Sequence, residues 1–292
     1  MAFTAAELAA FDDNGFVRKS VFPPGHFSAL KDEITGFIDR RVRRLASDGK
    51  LTCGYEDEPF SRRMGLLMRD CEGIADGFDI DRLRGEAMFE LMNDARLVAL
   101  LAELLGSRIT CSPIQHIRVK PPVSLSAGQH AFFNPGWHQD SGVSQPESDA
   151  NLIVTCWIPI GPATPEMGCL HVIPGRYRHL PHGPSADGTR ILPQAMPPAD
   201  PVAVACEEGD VIFMNQFLPH TSFPNESDSC RWSVDLRYQA TGTPSARPWL
   251  PHFECAPATN APTWEAWRHL WQDPQPMPSH LSFHRIDPEA LP

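Results

Sequence analysis

The chain has 292 residues, a formal net charge of −11 and no Lys/Arg run, a balance that argues against nucleic acid or an anionic membrane as partner. No apolar stretch approaches the ~18 residues of a transmembrane helix, and the N-terminus MAFTAAELAAFDDNGF lacks the basic region and apolar run of a signal peptide. Eight scattered cysteines without a CxxC are a reduced, intracellular pattern with neither a disulfide framework nor a thiolate zinc site, so a cytoplasmic protein is expected.

The first 110 residues read as helical. One short helix is predicted over 5–11. A longer one over 24–45 has Phe27, Leu30, Ile34, Phe37 and Ile38 at three- and four-residue spacings. Pro23-Pro24 suits its start and the Gly49 region its stop. A third, over 86–105, repeats the pattern through Met88, Leu91, Ala95, Val98, Leu101 and Leu105, and Gly106 fits the position after its end.

The period then changes. Of 30 prolines only Pro23, Pro24 and Pro59 precede residue 110. Proline lacks an N–H and fixes φ, so the remaining chain cannot be mainly helix. Strands are predicted over 109–119, 151–160, 169–173, 202–206, 211–214 and 231–239. The last is the clearest: Trp232, Val234, Leu236 and Tyr238 fall on one face, and Arg231, Ser233, Asp235 and Arg237 on the other. Short strands with Gly/Pro turns point to a double-sheet jelly roll. After residue 244 the chain is proline-rich, with one short amphipathic candidate marked by Trp264, Trp267 and Trp271. A single domain is expected: a helical layer (1–110), a jelly-roll core (111–240) and a C-terminal tail (241–292).

Chemistry concentrates in WHQDSG, 137–142. His138 and Asp140 stand two apart, which on a strand end puts an imidazole and a carboxylate on one face. With a third ligand from elsewhere they would form a 2-His-1-carboxylate site with open coordination positions, as in non-haem Fe(II) proteins. The bare H-x-D is weak, because twelve histidines make a chance occurrence expected. Its context is stronger. GDVIFMNQFLPHTSFPNES, 209–227, reads as a tight turn, an apolar strand and a histidine, His220, at the strand's exit. Arg231 follows eleven residues later.

This order of H-x-D, a distant His and an Arg resembles the phytanoyl-CoA dioxygenase family of Fe(II)/2-oxoglutarate oxygenases. The resemblance extends through FDDNGFVRKSVFPP (11–24), CWIPIGPATPEMGCLHVIPGRYRH (156–179) and EEGDVIFMNQFLPHTSFPNESDSCRWSVDLRY (207–238). It implies a mainly β, double-stranded β-helix (jelly roll, cupin-like) with flanking N-terminal helices. It also implies His138, Asp140 and His220 as the iron ligands, Arg231 as partner of the distal 2-oxoglutarate carboxylate, and Ser222 as a hydroxyl beside it. A planar, always charged guanidinium suits that carboxylate. His116 and Lys120 match cosubstrate contacts more loosely, and Trp157 matches a tryptophan near the site or a core residue.

The implied activity uses Fe(II), 2-oxoglutarate and O2 to hydroxylate an unactivated C–H of a small molecule, with release of succinate and CO2. Desaturation, epoxidation and rearrangement stay open. The substrate classes implied are secondary-metabolite intermediates, amino acids and acyl derivatives, handled by a monomer or homodimer. The presence of Asp140 favours hydroxylation over halogenation. Two other readings stand beside it: the same triad holding another divalent metal as Lewis acid, and a non-catalytic metal or 2-oxoglutarate sensor. Three features are left with two meanings each. Gly175-Arg176-Tyr177 departs from the family's Gly-Ser-His, so Arg176 either reaches substrate or is a solvated turn residue. Asp235 and Arg237 either extend the polar wall or pair with each other. Phe132, Phe133, Asn134 and Trp137 precede the motif as candidates for the mouth, and the proline-rich 181–201 as a lid.

Overall fold

The computed structural model describes residues 1–76, 83–126, 135–185, 188–255, 257–259 and 261–288. Helix α1 (Ala5–Asn14) begins at Thr4, whose hydroxyl accepts from Glu7 N while Glu7 accepts from Thr4 N, and ends at Gly15, which takes φ +79°. Strand β1 (Phe16–Ser20) follows, then α2 (Ser28–Ser47) and α3 (Phe60–Asp70). Helix α3 was not anticipated, although Phe60, Met64 and Leu67 carry its spacing. The helix expected over 86–105 is two, α4 (Glu86–Met92) and α5 (Ala95–Leu105). The physical reason is Asp94, whose carboxylate accepts from Arg96 N and starts a new helix at a break in the old one.

The strand expected over 109–119 is likewise two, β2 (Ile109–Cys111) and β3 (His116–Lys120), separated at Pro113. Strand β4 (Ile153–Pro159), β5 (Leu170–Val172), β6 (His182–Ser185), β7 (Gly188–Ile191), β8 (Val202–Val204), β9 (Asp210–Asn215), β10 (His220–Ser222), β11 (Arg231–Ala240) and β12 (Phe253–Glu254) complete the set, with helix α6 (Trp264–Leu270) after them. The major sheet runs β1-β9-β4-β11-β2-β12, with β3 also paired to β11, and the minor sheet runs β10-β5-β8. All of these pairings are antiparallel. Strands β6 and β7 form a separate hairpin within the stretch expected to be a lid.

Strand alternation divides the apolar residues into two cores. Val154, Cys156 and Ile158 of β4, Val211 and Phe213 of β9, and Trp232 to Tyr238 at alternate positions of β11 face outward onto helix residues such as Leu30, Ile34, Leu97 and Leu101. Trp157, Ile212 and Met214 face inward and meet Leu170, Val172 and Val204 of the minor sheet. The helices therefore cover the major sheet's outer face, as expected, and the sheets enclose an inner space between them. Trp267 and Trp271 belong to the outer core. Among the described residues no helix is long and apolar enough to cross a membrane.

Candidate metal centre

The polar face of β11 is not a solvated face. Arg231, Ser233, Asp235, Arg237 and Gln239 are all buried, and they line the inner space. Across it, His138 and His220 face one another as a mutually hydrogen-bonded pair: His138 N donates to His220 O at 3.1 Å, and His220 N to His138 O at 2.9 Å. Residues paired in this way present their side chains on one face, and the two imidazole centroids lie 4.2 Å apart. Asp140 arrives from the start of the 3₁₀ turn Asp140–Val143. One candidate ligand atom from each of His138, Asp140 and His220 lies within 4.8 Å of the others.

The histidines are held in matching tautomers. His138 Nδ1 donates to Gly136 O at 2.8 Å and His220 Nδ1 to Leu218 O at 2.9 Å. A carbonyl can only accept, so in each neutral ring it is Nε2 that carries the lone pair a metal requires. The residue between the two ligands anchors them. Gln139 is buried; its Nε2 donates to Arg178 O and Phe217 O, and its Oε1 accepts from Leu180 N. Its backbone N–H donates to His182 Nε2.

Asp140 is gripped at both oxygens. Arg237 Nη2 donates to Oδ1 at 2.5 Å, and the Thr155 hydroxyl donates to Oδ2. Burial alone would push this carboxyl's pKa up, but the Arg237 charge and hydrogen bond, helped by the facing imidazoles, outweigh it and hold the group well below the usual carboxylate range. Arg237 also donates to Asp235 Oδ2 at 3.1 Å and to Ile114 O at 3.2 Å. The two meanings left open for Asp235 and Arg237 thus merge: they pair with each other and reach the proposed metal ligand.

The remaining expected residues lie on β11, on its neighbours β3 and β4 and on β10 of the minor sheet. Arg231 is 4% exposed and its Nε is buried with no hydrogen-bond partner among the described residues. Its guanidinium lies 5.2 Å from the Trp157 ring centroid. Burial pushes its pKa down to about 10, which leaves it charged at neutral pH. Lys120 stands directly opposite Arg231 on β3 and donates from Nζ to Phe223 O at 2.6 Å. Half-buried His116 stands opposite Asp235, as does Trp157 from the other flank. Trp157 is both a core residue and a platform for Arg231. Ser222 is buried on β10 opposite Leu170 and shares its face with His220.

Arg176 is a surface residue: it pairs with Asp13 at 2.6 Å, and both side chains are mostly exposed. Phe132, Phe133 and Asn134 lie outside the described residues. Trp137 is half-buried, and its carbonyl accepts from Ile191 N of the hairpin. Sequence reasoning missed Thr155, Gln139, His179 and His182. Strand β4 sets Thr155 opposite Arg237, a register that only the structure shows. His179 Nδ1 hydrogen-bonds the Ser141 hydroxyl at 2.8 Å. Burial, with Arg285 and His182 nearby, pushes the His179 pKa down to about 3, so that ring is neutral.

Fold and site together define a jelly-roll protein with a largely buried two-histidine, one-aspartate cluster facing a buried arginine. The comparisons place it more closely. A profile of the phytanoyl-CoA dioxygenase (PhyH) family matches residues 11–233, and the chain belongs to that family. No curated protein sequence matches it. Similar solved structures include the non-heme monooxygenase ThoJ, at 16% identity and TM-score 0.53, covering 82% of this chain and 78% of that one. The alpha ketoglutarate dependent carbocyclase SnoK from nogalamycin biosynthesis is 19% identical with TM-score 0.51, covering 82% and 84%. The epimerase SnoN in complex with Fe3+, alpha ketoglutarate and nogalamycin RO is 20% identical with TM-score 0.51, covering 88% and 91%. At these identities the likeness is one of fold.

Proposed function

We propose that the chain is a non-haem Fe(II)/2-oxoglutarate-dependent dioxygenase that hydroxylates an unactivated C–H of a small molecule. The observation that carries this reading is the His138–Asp140–His220 cluster facing a buried arginine that has no ion pair with a carboxylate among the described residues. The donor set fits the metal: two imidazoles offer Nε2, one ionised carboxylate completes a 2-His-1-carboxylate triad, and positions for other ligands stay open. The orphaned Nε of Arg231 fits a carboxylate guest, because a buried guanidinium N–H without an acceptor is costly. Ser222 offers a hydroxyl on the same face of β10 as His220. When bound, iron with 2-oxoglutarate and O2 supplies the oxidising power, releasing succinate and CO2.

The chain's own work is positional. His138, Asp140 and His220 hold the metal, Arg231 and Ser222 orient the cosubstrate's distal carboxylate, and Trp157 braces Arg231. The inward-facing apolar residues keep bulk water from the reacting centre. A secondary-metabolite intermediate is one substrate class that suits the reading, given what SnoN and SnoK act in. A Lewis-acid metal enzyme would use the same triad but has no use for a buried Arg231 on the inner face.

Succinate release with Fe(II), 2-oxoglutarate and a substrate found by metabolite screening tests the proposal. Asp140→Ala should abolish succinate formation, and undiminished turnover would remove Asp140 from the triad. Arg231→Ala should raise the KM for 2-oxoglutarate far more than that for substrate; an unchanged cosubstrate KM refutes its role. Anaerobic Fe(II) plus 2-oxoglutarate should also give a weak visible charge-transfer band, whose absence favours the Lewis-acid reading.

A further inference from the structure

Asp140 sits on a short 3₁₀ turn, a poor place from which to aim a carboxylate. The groups that fix its oxygens come from firmer elements. Arg237 lies within β11, paired to β4 on one flank, and Thr155 lies directly opposite it on β4. Both side chains are buried. One donates to Oδ1 and the other to Oδ2, so the carboxylate cannot turn about its last bond without breaking a buried hydrogen bond. Arg237 is itself tied down by Asp235 and the Ile114 carbonyl.

We propose that Arg237 is a positioning residue for the metal centre: with Thr155 it fixes the plane of the Asp140 carboxylate toward the two imidazoles, and Asp235 holds Arg237 in place. This rests on the reading that the triad binds a divalent metal. The rival role for Arg237 is charge neutralisation alone, in which any cation would serve and removal of Asp235 would substitute for it. The two roles separate cleanly. Arg237→Lys keeps the charge and loses the planar fork. The double variant Asp235→Asn/Arg237→Gln keeps the net charge of the group and loses the clamp.

The experiment is a titration of the metal-free, full-length protein with Co(II), followed by visible absorption, alongside the thermal midpoint of each metal-free variant. Arg237→Lys and the double variant should both bind Co(II) about tenfold or more weakly, in line with about 10–100-fold losses on removing groups that orient metal ligands. Thr155→Val leaves every charge in place and should also weaken binding, by several-fold. It is the arm that decides if the Arg237 variants fail to fold. Co(II) affinity within twofold of the parent for Arg237→Lys, for the double variant or for Thr155→Val overturns the proposal. A His138→Ala control separates the two readings. If it abolishes binding while the clamp variants do not weaken it, positioning alone is wrong; if the folded parent binds no Co(II), the metal reading falls as well.

Discussion

Arg231 and Lys120 stand opposite one another, both buried, and two adjacent buried cations cannot both stay charged cheaply. The arginine keeps its proton, and the lysine gives way. Burial first, and the Arg231 charge second, push the Lys120 pKa down to about 6 from the ordinary 10.5, against a smaller opposing effect of Cys169. At neutral pH this pair therefore carries its positive charge on the residue with the planar fork, which suits a single carboxylate. The linkage has a definite sign. Between pH 6 and 10.5 the unfolded chain binds more protons at this site than the folded one, so stability rises with pH across that window. Lys120→Met removes this contribution. Its thermal midpoint relative to the parent should be highest near pH 6 and should decline steadily toward pH 10; a difference that does not vary with pH refutes the assignment.

Among the elements, the best-read ones were those whose period is uninterrupted. Strand β11 declares itself by strict alternation, and its pattern correctly separates the helix-facing residues from the site wall. What the alternation could not reveal is that the polar face is buried, since polar residues at period two ordinarily mean solvent. The helix of 86–105 and the strand of 109–119 were each read as one because apolar spacing survives a short break; Asp94 and Pro113 mark the breaks. Asp94 caps α5 and pairs with Arg96 at 2.6 Å, so Asp94→Ala should lower stability by about 1–2 kcal/mol in urea denaturation. Gly209 has φ +103°, and a Cβ there would collide with the Phe22 carbonyl, while Gly209 O accepts from Val21 N and Phe22 N. Gly209→Ala should cost about 1–3 kcal/mol by the same measurement. The β6–β7 hairpin was illegible for a simple reason: Pro184 reads as a loop residue, yet in a two-strand ribbon every strand is an edge and tolerates it.

At the scale of the whole molecule, the late prolines mark segments that lie against the metal-ligand segment. The hairpin meets Trp137 through Ile191 N, and Leu180 N reaches Gln139. The C-terminal stretch lies over the same place. Arg285 N donates to Gly142 O at 2.8 Å, Asp287 N to His182 O at 2.7 Å, and the Arg285 guanidinium pairs with Asp149 at 2.8 Å. A cavity lined by His179, Pro181, His182, Arg285, Ile286 and Asp287 lies along this contact. Deleting 281–292 should therefore weaken Co(II) binding several-fold while lowering the thermal midpoint only slightly, because the two apolar cores stay whole. Unchanged affinity would show that the tail is a bystander. The same contact sets an order of events during synthesis. Residues 285–287 leave the ribosome long after Asp140, so a nascent chain can build both sheets before the turn that carries the carboxylate receives its last braces. Metal capture by a nascent chain still short of residue 285 would then be weaker than capture by one that already carries residues 285–287.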